Sequence, residues 1–160
     1  MRFAADAMLG RLATWLRLLG YDTFYQADID DGLLVRLARD ENRTILTRDV
    51  GVTRRRGVRV LLIRSDDIWC QVRQVLSHFG LHPDLTSLGG RCTRCNQPLH
   101  VVEKDEVTGR VPPYIWQSQK EFQECPACRR LFWRGTHVAE MEARLRGLLV
   151  EEVNENRNRE

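Results

Sequence analysis

Along residues 2 to 80 the apolar positions switch between short runs and helical spacing. Arg2 to Ala5 reads as a first strand. From Ala7 to Leu19, the residues Leu9, Leu12, Ala13, Leu16 and Leu19 follow a helical period, and Gly20 supplies the stop. Met8, Trp15 and Leu18 extend the apolar surface around most of this helix, more than one buried face requires. The helix is therefore expected to meet a second partner, either the cysteine-bearing ribbon introduced below or another subunit. Tyr21 to Tyr25 reads as the second strand, and Leu34, Leu37 and Ala38 predict a helix from about Asp31 to Asn42. Thr44 to Thr47 and Val58 to Ile63 are the third and fourth strands, separated by a short helix or loop. Ile68, Val72, Val75, Leu76 and Phe79 then mark a helix that stops at Gly80. Strands alternating with helices in this way form βαβ units around a parallel sheet.

The composition changes after His82. The stretch HPDLTSLGGR is rich in turn formers and reads as a linker. Beyond it the pattern predicts a strand near Leu99 to Glu103, a loop through Thr108, Gly109 and the Pro112-Pro113 pair, and a strand near Leu131 to Arg134. Val138, Met141, Leu145, Leu148 and Leu149 suggest a closing helix. The expected division is an α/β domain over 1–82, a linker over 83–91, a ribbon with its closing helix over 92–150, and a disordered polar tail over 151–160.

Composition narrows the class. With 42% hydrophobic and 29% charged residues the chain can form a packed core. The N-terminal segment lacks the basic and apolar regions of a signal peptide, and the longest aliphatic run, Val60 to Ile63, is far short of a membrane span. A cytoplasmic, non-membrane location is expected. A net charge of +3 excludes a uniformly basic coat, so a nucleic-acid partner must be met by a local patch. Of the 25 basic residues only Lys104 and Lys120 are lysines; this bias fits bidentate phosphate or carboxylate contacts, and equally a GC-rich genome.

The four cysteines of CTRC at 92–95 and CPAC at 125–128 carry the strongest chemical signal. Two thiolates separated by two residues can share one tetrahedral zinc, and two such knuckles complete a four-thiolate shell. Cys92, Cys95, Cys125 and Cys128 are therefore expected to hold a structural Zn²⁺, with no position open for catalysis. His100 and His137 could replace a cysteine, but nothing requires it. Cys70 is left over, in a helix and without a histidine nearby in sequence, and is read as a packing residue.

A second signal is a set of aspartates where strands end. Asp6 follows the first strand, Asp31 opens the second helix, and Asp49 follows the third strand in TILTRD. In a parallel sheet the carboxyl ends of the strands share one edge, where ligands bind. An edge built only from carboxylates suits Mg²⁺ or Mn²⁺, since like charges held together need a cation or proton to compensate them. Each aspartate is also a good helix cap. Asp28, Asp30 and Asp66 are further candidates to complete the site. Arg11 and Arg48, with Arg54, Arg55 and Arg56, could form a phosphate-binding rim or simply be a solvated charge run. The chain has no GxGxxG and no GxxxxGK[ST].

Taken together, FAADAMLGRLATWLRLLGYD, DDGLLVRLA, TILTRD, the two CxxC knuckles and FWRGTH resemble the PIN-like ribonuclease domain with an appended zinc ribbon found at the C-terminus of mutator-type exonucleases. The likeness runs from about Arg2 to Leu149. It implies a PIN-like α/β fold and metal-dependent cleavage of RNA, and carries the family's acidic positions onto Asp6, Asp31 and Asp49, with the fourth position unassigned and Asp66 a candidate. The expected function is a divalent-metal-dependent ribonuclease of the endonuclease type. Two rivals are a non-catalytic RNA-binding or protein-interaction module in which the aspartates cap helices, and a toxin-like nuclease regulated by a partner.

Overall fold

A computed structural model describes residues 1–84, 89–135, 140 and 142–147. The expected α/β fold is present. Strand β1 (Arg2–Ala5) leads through a 3₁₀ turn (Ala7–Leu9) into helix α1 (Gly10–Leu18). Then follow β2 (Asp22–Tyr25), α2 (Asp31–Asp40), β3 (Thr44–Thr47), a short α3 (Val50–Thr53), β4 (Arg59–Leu62) and α4 (Ile68–Phe79). Gly80 ends α4 with a φ of 59°, the left-handed conformation that costs glycine nothing.

The four strands form one parallel sheet in the order β2-β1-β3-β4. Side chains alternate between its faces, and each face has its own apolar cluster. Phe3, Ala5, Leu46, Leu61 and Ile63 point to the side of α1 and α4, where Leu12, Leu16, Val72 and Val75 meet them. Ala4 and Ile45 point to the other side, against Leu34, Val35 and Ala38 of α2 and Val52 of α3. Both faces being covered is what permits a parallel sheet.

The remaining chain forms an antiparallel three-stranded ribbon in the order β5-β6-β7, from His100–Val102, Phe122–Glu124 and Leu131–Trp133. Two of its features differ from the sequence pattern. The stretch read as a loop contains a 3₁₀ turn (Lys104–Val107) and helix α5 (Pro113–Ser118). Proline signals a break inside a helix, but here Pro113 occupies the first turn, where its missing N–H has no partner to lose. The middle strand β6 is only three residues long, too short to show a period of its own. Val102, Val107 and Phe122 form a small core of its own, with Trp116 donating from Nε1 to the Lys104 carbonyl at 3.1 Å.

The wide apolar surface of α1 is used within the chain. Trp15 packs against Trp69 of α4 with ring centroids 4.5 Å apart, and Leu145, in a helical stretch over 142–147, is buried in the same cluster. On the ribbon side, Gly89 N–H donates to the Leu18 carbonyl at 2.9 Å. Met8 stays exposed. Among the described residues no helix is long and apolar enough to cross a membrane. His137, Val138, Met141, Leu148, Leu149 and the tail 151–160 lie outside the described residues.

Candidate functional site

In the ribbon the two cysteine knuckles repeat one backbone design. The N–H of Asn96 donates to the Cys92 carbonyl at 2.9 Å, and that of Arg129 to the Cys125 carbonyl at 2.9 Å. Cys92 N–H then donates to Gln97 and Cys125 N–H to Arg130, closing both turns. The residue after each second cysteine has left-handed backbone, with φ of 62° at Asn96 and 60° at Arg129. This turn folds the sulfurs inward. All four Sγ atoms lie within 4.8 Å of one another, with Cys92 and Cys128 3.7 Å apart, and none is in a disulfide.

Four thiols at this spacing cannot all ionise unaided. A backbone hydrogen bond from Arg130 lowers the Cys128 thiol to about 7, whereas its hydrogen bond to Cys128, desolvation and neighbouring negative charge push Cys95 up to about 12. A cation at the centre would remove that conflict, and a tetrahedral set of thiolates is what Zn²⁺ takes. The cluster fits zinc. His100, at the exposed start of β5, is not part of it.

The first knuckle is anchored to the α/β sheet by buried polar groups. Arg17 of α1 donates from Nη1 to the carbonyls of Thr93 (2.7 Å) and Arg94 (3.2 Å), and from Nε to that of Thr23 (2.9 Å). Asn96 accepts from Thr23 N–H at 3.0 Å and donates to Asp22 at 2.7 Å. Asp22 also pairs with Arg43 at 2.5 Å and with Arg2 at 3.2 Å. Burial alone would raise the Asp22 carboxyl, but the hydrogen bonds from Arg43, Asn96 and Arg2 outweigh it and hold the group at about 2.

The aspartates sit at the other end of the strands from the N-terminal edge, and the topology explains why they gather there. From β1 the chain crosses to β2 on one side, and from β3 to β4 on the other, so the strand order reverses between β1 and β3. In open parallel sheets, ligands bind beyond the carboxyl ends of the strands at such a switch point. Asp6 follows β1, and Arg48 and Asp49 follow β3, on either side of it. Asp6 N–H donates to the Leu46 carbonyl at 2.9 Å, extending the β1–β3 pairing into the site.

The aspartates near the helix starts differ in what their side chains do. Asp30, not Asp31, caps α2, accepting from Leu33 N–H at 3.0 Å. Asp31 is the first helical residue, half-buried, and its carboxylate makes no hydrogen bond or ion pair among the described residues. Asp49 does cap α3, with Oδ1 accepting from Gly51 N–H at 2.6 Å. Asp6 caps nothing. It is 6% exposed, and Oδ2 accepts at 2.6 Å from the hydroxyl of Thr47, which in turn accepts from Asp49 N–H at 2.9 Å. Thr47, fully buried, is a site residue that the sequence pattern passed over, although it stands in the TILTRD motif.

Around this centre, the ring of Tyr25 packs on Gly10, where an added Cβ would come within 2.7 Å of it, and its hydroxyl donates to the Ala7 carbonyl at 3.1 Å. These contacts fix the turn after Asp6. Arg48 is ion-paired with the exposed Asp66. Arg11 is exposed on α1; the carboxyl of Asp67, the cap of α4, is lowered chiefly by the backbone hydrogen bond from Cys70, and the Arg11 charge adds to this. Asp28 is exposed and accepts from Gln26. Asp6 and Asp49 follow β1 and β3 and Asp31 opens the helix after β2, but their carboxylates do not all lie within 4.8 Å of one another; among the described residues only the four cysteine sulfurs form such a group. Cys70, half-buried on α4, is a free thiol.

No curated protein and no solved structure matches the chain. The family model described as the Mut7-C RNAse domain matches residues 1–145. That match spans the sheet, the aspartate edge and the whole ribbon, and the chain belongs to the Mut7-C RNAse domain family.

Proposed function

We propose that the chain is a divalent-metal-dependent ribonuclease of the endonuclease type, in which Asp6, Asp31 and Asp49 hold Mg²⁺ or Mn²⁺ at the switch point between β1 and β3. The observation that carries this reading is the state of Asp6. The residue is 6% exposed, and its carboxylate has no cationic partner among the described residues and receives a hydrogen bond from a neutral hydroxyl. A buried carboxylate left in that state is costly unless a cation joins it.

Each residue then has a task. Thr47 aims the Asp6 carboxylate and ties it to the backbone of Asp49. Asp30 takes over the capping of α2, which leaves the Asp31 carboxylate for other use. Asp49 spends Oδ1 on its helix and keeps Oδ2. Mg²⁺ is usually held by one or two carboxylates and keeps several of its waters, so a carboxylate too distant to bind it directly would act through one of those waters. A cation held by these carboxylates would supply positive charge against the scissile phosphate and a more acidic water for the attack. Arg48 is a candidate to orient that phosphate: an exposed pair such as Arg48–Asp66 is worth about 1 kcal/mol or less, so it exchanges its partner readily. Arg11 is a second candidate. Asp66 is held by Arg48 and would join the metal only on release.

The cysteine cluster, filled with Zn²⁺, would stabilise the ribbon and take no part in cleavage. Cysteines that hold zinc rather than pair as disulfides fit a reducing, cytoplasmic setting. A purely structural role for the aspartates is supported only at Asp49, since Asp6 and Asp31 cap nothing.

The test uses zinc-loaded protein, single-stranded RNA and Mn²⁺. Cleavage is expected to vanish in Asp6→Asn and in Asp49→Asn while the proteins remain folded. Equal cutting by the substituted proteins would identify a contaminating nuclease and reject the assignment.

A further inference from the structure

At the opposite edge of the sheet lies a cavity of about 320 Å³ whose lining includes Arg39, Arg43 and Arg59 together with Asn42 and Gly57, and no carboxylate. We propose that it is a second RNA-binding site, which grips a backbone phosphate of the substrate away from the bond being cut. The proposal rests on the ribonuclease reading and adds to it a place where the rest of the strand is held.

The three guanidiniums differ in how much charge they have to offer. Arg43 is already neutralised by Asp22 and Glu41 and also donates to the Phe3 carbonyl. Arg39 and Arg59 are not. Arg39 donates from Nη2 to the Arg56 carbonyl at 2.9 Å, and Arg59 from Nη2 to the Asn42 side-chain oxygen at 3.1 Å. Both acceptors are neutral, and neither arginine meets a carboxylate among the described residues. A guanidinium carries five N–H donors in a planar fork that matches phosphate, so most of each fork is unspent.

The surroundings keep it so. The acids nearest in sequence are engaged elsewhere, Asp40 with Arg36 and Glu41 with Arg2 and Arg43. Gly57 has a φ of 75°, and a Cβ there would lie 3.5 Å from Nε of Arg39, so the bare backbone lets the guanidinium lie against the loop. Arg54, Arg55 and Arg56 are exposed on that same loop and add positive charge without carboxylate partners among the described residues. Positive groups that sum in this way attract a polyanion.

The position decides the role. Four strand residues separate the two edges, a length of about 13 Å. A phosphate in the cavity therefore belongs to a nucleotide remote from the aspartates, and holding it strengthens binding without touching the chemical step.

The test measures binding of a labelled single-stranded RNA of about a dozen nucleotides to zinc-loaded protein, without other divalent cations, over a series of salt concentrations. For Arg39→Gln combined with Arg59→Gln, Kd is expected to rise several-fold. The slope of log affinity against log salt should flatten by about 0.7, the change for one lost phosphate contact on a single strand. With Mn²⁺ added, KM should rise and kcat stay as in the unsubstituted protein. Arg146→Gln, which removes an exposed charge from the helical stretch over 142–147, should change neither quantity. If the double substitution unfolds the chain, Arg59→Gln alone should flatten the slope by half as much. Unchanged affinity and slope, in a protein that binds and cuts RNA, would overturn the second site and leave the ribonuclease reading standing. Loss of inorganic phosphate binding with RNA binding intact would overturn it as well. An unsubstituted protein that neither binds nor cuts RNA would sink both readings.

Discussion

The hydroxyl of Thr47 donates to Oδ2 of Asp6 at 2.6 Å, and both groups are buried. Thr47 Oγ1 in turn accepts from the backbone N–H of Asp49, so one side chain registers the ends of β1 and β3 across the switch point. Removing it should loosen the site without removing a ligand. Thr47→Val is expected to raise the Mn²⁺ concentration needed for half-maximal cleavage by about 10- to 100-fold, the usual effect of losing an outer hydrogen bond to a metal ligand. Thr47→Ser should restore most of it. A Mn²⁺ requirement unaltered in Thr47→Val would show that the hydroxyl serves packing alone.

Asp30 and Asp31 are neighbours with different jobs. Asp30→Ala removes the cap of α2 and should cost about 1 kcal/mol of stability, read from denaturant melts. Asp31→Asn, whose carboxylate has no partner among the described residues, should melt like the parent and lose cleavage. The reverse pattern would mean that the roles are exchanged.

Much of the α/β half was legible from periodicity because its helices are amphipathic and its strands are bounded by turns. The range of β3 and the stop at Gly80 agree with the pattern to the residue. The assignment of caps was not legible, since DIDD offers three aspartates and only backbone geometry decides that Asp30 is the one that caps. Thr47 was hidden for a similar reason. A threonine inside a buried strand looks like any β-branched residue until the sheet order places it beside Asp6. In the ribbon, cysteine spacing revealed the cluster, but β6 and α5 are too short to generate a period.

Arg17 joins the ribbon to the sheet through three carbonyls, and burial lowers its pKa, a sign of how far it has been drawn from water. Arg17→Met keeps much of the volume and loses the hydrogen bonds. It should cost about 2–4 kcal/mol, since bonds to charged groups are worth about 1.5–3 kcal/mol each and are not additive. Zinc should also leave faster when a chromophoric chelator is added. A release rate equal to that of the parent would show that the knuckle holds its metal independently of the sheet.

Asp22 links acid stability to the same junction. Its folded pKa of about 2 lies below the ordinary 3.8, so folding favours the charged form. The stabilisation, up to about 2 kcal/mol, is fully present above pH ~4 and is lost as pH falls through ~2. Asp22→Asn should therefore be less stable than the parent near neutrality, and the gap should close over that acid window. A gap that stays constant from neutral to acid pH would rule out the carboxylate charge as its source.

The most direct test of the central claim is a Mn²⁺ titration of the zinc-loaded protein, followed by electron paramagnetic resonance of the free ion. Saturable binding is expected, and it should be lost in Asp6→Asn while the four-cysteine zinc stays in place. Binding of the same strength and stoichiometry in Asp6→Asn would contradict it, because the buried carboxylate between β1 and β3 would then have no part in holding a cation.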